Sequence, residues 1–286
     1  MEVITAPAAM QAWSDGERRA GRRIALVPTM GALHEGHLEL VRVARAHAER
    51  VVVSVFVNPM QFNRRDDFER YPRVLDDDVA RCAAGGADVV YAPAASLMYP
   101  EGFATAVDVA GLSEPLCGRM RPGHFRGVTT VVTKLFHAVR PDLAVFGEKD
   151  WQQLAVIRRL TADLDFGIEI VGVPTVREAD GLALSSRNRL LSAEARIAAG
   201  CVPRALDAAA AAVDGGETRA AAILDRAAAA LGEEPQARLE YAELRDPDSL
   251  AEVEAVTAPT LLALAVWVDG VRLIDNRILI PGRTDR

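Results

Sequence analysis

Four short clusters hold the residues best able to do chemistry: His34-Glu35-Gly36-His37, Asn58-Pro59-Met60-Gln61, Gly147-Glu148-Lys149-Asp150 with Gln153 a turn beyond, and Ser185-Ser186-Arg187. Two imidazoles three residues apart share one helical face and can reach a single phosphate group. Amides offer donors and acceptors together, which suits a small polar ligand with hydroxyl and carboxylate groups. A lysine neutralises phosphate charge, and hydroxyls beside an arginine suit phosphate oxygens. Each cluster also has a plainer reading: a turn with solvated histidines, an amide turn around Pro59, and Asp150 as a helix cap rather than a partner for a ribose hydroxyl.

The surrounding elements decide between these readings. Residues 24–27 are continuously apolar, the mark of a strand covered on both faces, and Leu38, Val41, Ala44 and Ala48 then recur at helical spacing from about Gly36. His34 and His37 therefore fall where a strand's carboxyl end meets a helix's amino end, the edge at which open parallel sheets bind ligands and unpaired N–H groups favour phosphate. Residues 51–57 form a second apolar strand after a helix-length crossover, which implies parallel pairing and right-handed connection. Asn58 and Gln61 follow it at the same edge.

Residues 63–73 are polar and predict a loop or flap, and Asp76-Asp77-Asp78 opens a helix to about Ala84. Acids in a first helical turn serve the dipole or, equally, a magnesium ion beside a nucleotide. A third strand at 88–92 leads through an irregular stretch to an Arg- and Gly-rich loop, 117–127, suited to anions or to solvent, and then to a helix over 128–139. Strands at 143–146 and 168–173 flank a helix over 151–164, so the Lys149 cluster also lies at a strand's carboxyl end. Beyond Glu178 the character changes: Ser192 predicts a helix N-cap, 193–231 is alanine-rich with breaks at Pro203 and Gly215-Gly216, and three strands at 239–244, 261–267 and 271–278 include a hairpin turn at Asp269-Gly270. The expected architecture is α/β: a Rossmann-like parallel sheet with helices on both faces over residues 1–176, and a smaller C-terminal α+β lid domain over 177–286.

Composition narrows the partners. The 286 residues carry a formal charge of −7 with scattered basic residues, so no nucleic-acid footprint stands out. No apolar run approaches the ~20 residues of a membrane span, which predicts a cytoplasmic protein without a membrane partner. Cys82, Cys117 and Cys201 are far apart and outside any metal or redox spacing, and read as buried or idle thiols.

Taken together, His34-Glu35-Gly36-His37, Asn58-Pro59-Met60-Gln61-Phe62, Gly147-Glu148-Lys149-Asp150 with Gln153, and Leu184-Ser185-Ser186-Arg187-Asn188 resemble the pantothenate synthetases, or pantoate–β-alanine ligases, over residues 24–192. His-x-Gly-His alone is shared with a wide superfamily of nucleotidyltransferases. The resemblance implies an ATP-dependent ligase in which pantoate forms pantoyl adenylate and pyrophosphate, and β-alanine then displaces AMP. It implies catalytic roles for His34, His37, Lys149 and Arg187, with His37 the proton donor. It implies nucleotide contacts from Met30, His34, His37, Gly147, Lys149, Asp150, the main chain at Val176, Leu184, Ser185, Ser186 and Arg187. Gln61, Gln153 and Asn58 would hold pantoate, with Gln61 also meeting β-alanine, and Asp77 and Asp78 would support Mg²⁺. It further implies a homodimer. The rival readings are another nucleotidyltransferase of the same superfamily, acting on a phosphorylated acceptor, and a nucleotide-binding protein without activity.

Overall fold

A computed structural model describes residues 1–282, and the chain divides into two compact units, Met1–Glu148 with Val156–Pro174, and Lys149–Ala155 with the chain from Thr175 onward. In chain order the first unit begins with β1 (Glu2–Ile4), α1 (Pro7–Arg19), β2 (Ile24–Thr29), α2 (Glu35–His47) and β3 (Arg50–Val55). A single 3₁₀ turn (Pro59–Gln61), α3 (Arg65–Arg70), α4 (Leu75–Ala84), β4 (Val89–Tyr91) and the short helices α5 (Ala95–Met98) and α6 (Cys117–Met120) follow. Then come α7 (His124–Val139), β5 (Leu143–Gly147), α8 (Trp151–Asp163), whose first turn groups with the second unit, and β6 (Glu169–Val173).

All pairings in this sheet are parallel, in the order β1-β4-β3-β2-β5-β6. From β2 the chain winds outward through β3 to β4, then returns to β5 on the other side. The crevice at the carboxyl ends of β2 and β5 is therefore the topological switch point, where such sheets bind ligands. The inner strands β2, β3 and β5 are apolar on both faces because both are covered. Ala25, Val27, Val51, Val53, Leu143 and Val145 pack under Leu40, Val41 and Ala44 of α2, while α1 and α7 lie against β2 on the opposite face.

Three local expectations are corrected. Ahead of the strand expected at 24–27 lies β1, an edge strand of three residues too short to show a period. The polar stretch 63–73 holds α3, anchored by edge-to-face contacts of Phe62 with Phe68 and Tyr71. The helix expected from Val128 starts one turn earlier, at His124, because Gly123 in the left-handed region (φ 81°) turns the chain into it.

The second unit contains α9 (Ala193–Ala198), α10 (Cys201–Asp214), α11 (Ala220–Gly232) and an antiparallel sheet of β7 (Ala237–Arg245), β8 (Thr260–Val268) and β9 (Val271–Leu279). Ser192 caps α9 through the Ala195 N–H, as its position predicts. The helical break falls at Ala199–Gly200, upstream of Pro203, because a proline in a helix's first turn forfeits no internal hydrogen bond. Asp269 and Gly270 both have positive φ, the two-residue turn that matches strand twist. Ala205 and Ala209 of α10 and Ala227 of α11 let these helices approach each other and the β8 leucines closely in one core. No helix among the described residues is long and apolar enough to cross a membrane.

Candidate active site

The first unit carries half of the expected residues. β2 ends at Thr29, whose hydroxyl donates to the Ser54 carbonyl on β3 and accepts the Gly31 N–H, locking the strand ends side by side. The chain then passes through two left-handed residues, Gly31 (φ 79°) and Ala32 (φ 50°). A Cβ on Gly31 would stand 2.7 Å from Asp78 Oδ2, so glycine is required by space as well as by φ. The buried Asp78 carboxylate, delivered by the first turn of α4, accepts the Ala32 N–H at 2.9 Å and the Leu33 N–H at 2.7 Å. It holds the turn that aims the histidines.

His34 is the N-cap of α2 and His37 lies one turn in, with ring centroids 4.0 Å apart. The His34 N–H donates to His37 Nδ1 at 3.3 Å. Nδ1 must then carry a lone pair, so the neutral His37 ring bears its proton on Nε2, a donor at the positive end of a helix dipole. Backbone geometry thus selects the tautomer that can donate to an anion.

At the end of β3, the turn Pro59–Gln61 lies beside this loop: Gln61 Nε2 is 3.0 Å from Met30 Sδ. Asn58, expected as a substrate contact, is wholly buried and bonds inward to Gln61 Oε1, the Gly127 carbonyl, the Met60 N–H and the Tyr99 hydroxyl. It supports Gln61 from behind rather than reaching a ligand. From the Arg-Gly loop, His124 Nδ1 and Arg121 Nη2 converge on the Gln61 carbonyl at 2.7 and 3.1 Å. The composition of this loop suits anions, but these two basic side chains hold the main chain of the amide turn.

The metal assignment to Asp78 is corrected. Its two oxygens are committed to main-chain N–H groups, and it is 1% exposed, out of reach of a hydrated ion. Asp77 is exposed on the same helical turn, and among the described residues no group of three His, Cys, Asp or Glu side chains could hold a metal. Of the expected pair, only Asp77 stays open to solvent.

In the second unit, consecutive residues of β9 gather the remaining candidates. Asn276 donates to the Lys149 carbonyl at 2.9 Å, and Asp275 receives both Arg177 Nη atoms at 2.7 and 2.9 Å. Trp151 Nε1 donates to the Pro247 carbonyl and ties down the start of α8, which carries Gln153. Lys149 Nζ lies 3.9 Å from the Asp150 carboxylate. The Val176 carbonyl accepts the Leu184 N–H, and Ser185 Oγ caps the turn Ser186–Leu190 through the Arg187 N–H. That turn packs on β9. Sequence reasoning misses the pair Asp275 and Asn276, although a signal is there: Asp275 sets an acid on the inward register of Val271 and Leu273. Gly147 ends β5 in the first unit.

The model for the family described as "Pantoate-beta-alanine ligase" matches residues 2–278. The chain belongs to the pantoate-beta-alanine ligase family. Relatives in this ligase family include the pantothenate synthetase of Geobacter sulfurreducens, 53% identical and covering 98% of this chain and 99% of that one. That of Moorella thermoacetica is 50% identical at the same coverage. Among solved structures, pantothenate synthetase from Thermus thermophilus superposes with a TM-score of 0.93 at 44% identity, covering 98% of this chain and all of that one. The pantoate-beta-alanine ligase of Francisella tularensis, solved as a complex with "Beta-gamma ATP" and β-alanine, has a TM-score of 0.81 at 30% identity, with 97% of each chain covered. The expected α/β fold with its small C-terminal antiparallel sheet agrees with these relatives.

Proposed function

We propose that the protein joins pantoate to β-alanine at the expense of ATP, through a pantoyl adenylate. The observation that carries this reading is the placement of two histidines and a held amide at adjoining strand ends, at the switch point of a sheet, in a chain matched along its length by the ligase family. In the first step a pantoate carboxylate oxygen bonds to the α-phosphorus and the bond to the pyrophosphate oxygen breaks. In the second the β-alanine amine bonds to the acyl carbon, AMP departs with the anhydride oxygen, and the amine's proton is lost.

Negative charge builds on the phosphate oxygens in the first step, and preorganised donors stabilise it without reorganisation. We assign that task to His34 and to His37 Nε2–H, with Lys149, Ser185, Ser186 and Arg187 on the triphosphate. Gln61 and Gln153 hold pantoate, and Gln61 also meets β-alanine. Met30, Gly147, Asp150, Leu184 and the main chain at Val176 serve the adenosine. Mg²⁺ would be held chiefly by the triphosphate oxygens, with Asp77 the carboxylate open to it. We assign the protein to the cytoplasm as a homodimer, to be checked by sedimentation at several concentrations. The activity test is exchange of labelled pyrophosphate into ATP without β-alanine. Exchange that requires pantoate is expected, and equal exchange without it refutes the proposal.

A further inference from the structure

Two main-chain groups decide which way the buried Asn58 amide faces. The Gly127 carbonyl only accepts, so the group 3.0 Å from it is Nδ2, and the Met60 N–H only donates, so the group 3.2 Å from it is Oδ1. The Tyr99 hydroxyl, 2.7 Å from that same Oδ1, is therefore a donor. Nδ2 has one hydrogen on Gly127, and the other goes to Gln61 Oε1 at 2.9 Å. Each link leaves one orientation for the next. Gln61 Oε1 is turned inward, and Nε2 is left against Met30 Sδ, a weak acceptor that a ligand oxygen readily replaces.

Resting on the assignment of Gln61 to pantoate, we propose that Tyr99 is a positioning residue: its hydroxyl adds a further hold on the Asn58 amide that Gly127 and Met60 orient, steadying Gln61 with its N–H donor toward the substrate, so that this subsite selects an acceptor oxygen of the hydroxy acid. The chain is rigid along its length. Tyr99 packs edge-on against Phe103 at 5.1 Å and near Phe56 at 6.1 Å, and the Lys134 ammonium sits 4.9 Å above the Phe103 ring. Burial pushes the Tyr99 hydroxyl above the usual phenol range, so it keeps its proton and remains a donor. Gly127 is required for the approach: a Cβ there would stand 2.3 Å from the Met60 carbonyl oxygen.

The test compares Tyr99→Phe, Gln61→Glu and Gln61→Ala by pyrophosphate exchange, with pantoate and ATP varied separately. Tyr99→Phe removes one hydroxyl, and the KM for pantoate is expected to rise about threefold to tenfold, the effect of one hydrogen bond, with the KM for ATP unchanged. Gln61→Glu keeps the shape and the inward acceptor but replaces the outward donor by an oxygen. It is expected to lose as much kcat/KM for pantoate as Gln61→Ala. Full activity in Gln61→Glu would show that the outward group is an acceptor and overturn the inference. So would a Tyr99→Phe enzyme with unchanged KM for pantoate, or with both KM values raised together. An unaffected Gln61→Ala enzyme would instead remove the substrate assignment itself.

Discussion

Replacing Asp78 by asparagine is expected to damage stability and activity together, because one carboxylate holds the turn that aims both histidines. The Ala32 and Leu33 N–H groups, at 2.9 and 2.7 Å, are buried and rely on its two oxygens. Hydrogen bonds to a charged partner contribute about 1.5–3 kcal/mol each. Asparagine preserves one acceptor and sets an NH₂ group against the other N–H, so the loss is about 2–3 kcal/mol. Alanine loses both bonds, about 3–6 kcal/mol by the same arithmetic. The left-handed Ala32 adds strain of ~1 kcal/mol that those bonds now offset. A turn relaxed by a fraction of an ångström carries His34 and His37 with it, and misplacement by about 1 Å can cost on the order of 10² in rate. Urea unfolding measures the first effect and pantoate-dependent pyrophosphate exchange, run across a wide range of Mg²⁺ concentrations, measures the second. Asp77→Asn, at an exposed site, should stay within about 0.5 kcal/mol of the parent. An Asp78→Asn protein of parental stability whose activity returns on raising Mg²⁺ would refute the reasoning and make Asp78 a metal ligand.

His37→Ala and Lys149→Ala should each lower exchange by about 10²–10³, the usual effect of removing one preorganised charge-stabilising group, with far-ultraviolet circular dichroism unchanged; full activity in both would displace the site. Asp275→Ala strands the Arg177 guanidinium beside a wholly buried position and should cost about 3–5 kcal/mol in urea unfolding, since the bidentate pair closes the Val176 segment onto β9. Burial pushes the Cys82 thiol up to about 12, with the Asp78 charge adding to it, and pushes the Cys201 thiol up to about 11. Both should resist a disulfide reagent at pH 8 until the protein is unfolded. Since each folded pKa lies above the unfolded value of ~8.5, their contribution to stability is intact below that pH and declines as pH rises toward 11–12. A flat stability profile between about pH 8.5 and 11 would contradict this.

Much of the molecule is legible in the residues alone because its information is local. Unbroken apolar runs such as 51–53 mark strands covered on both faces, and the change from apolar to His, Asn or Lys at their ends marks the ligand edge. Turn chemistry at Asp269-Gly270 and the cap at Ser192 are likewise decided within a few neighbouring residues. What the sequence could not show is which distant side chain completes each local element. Asp78 reaches the histidine turn across 46 residues, and Tyr99 reaches Asn58 across 41. An acidic first turn has the same local form whether its carboxylates cap a helix, hold a metal or clamp another loop. Only the packing of α4 beside the end of β2 buries Asp78 against two N–H groups, and burial forces a carboxylate to bond with what it faces. The chemistry of the histidines was written locally, and their aim was set by tertiary structure.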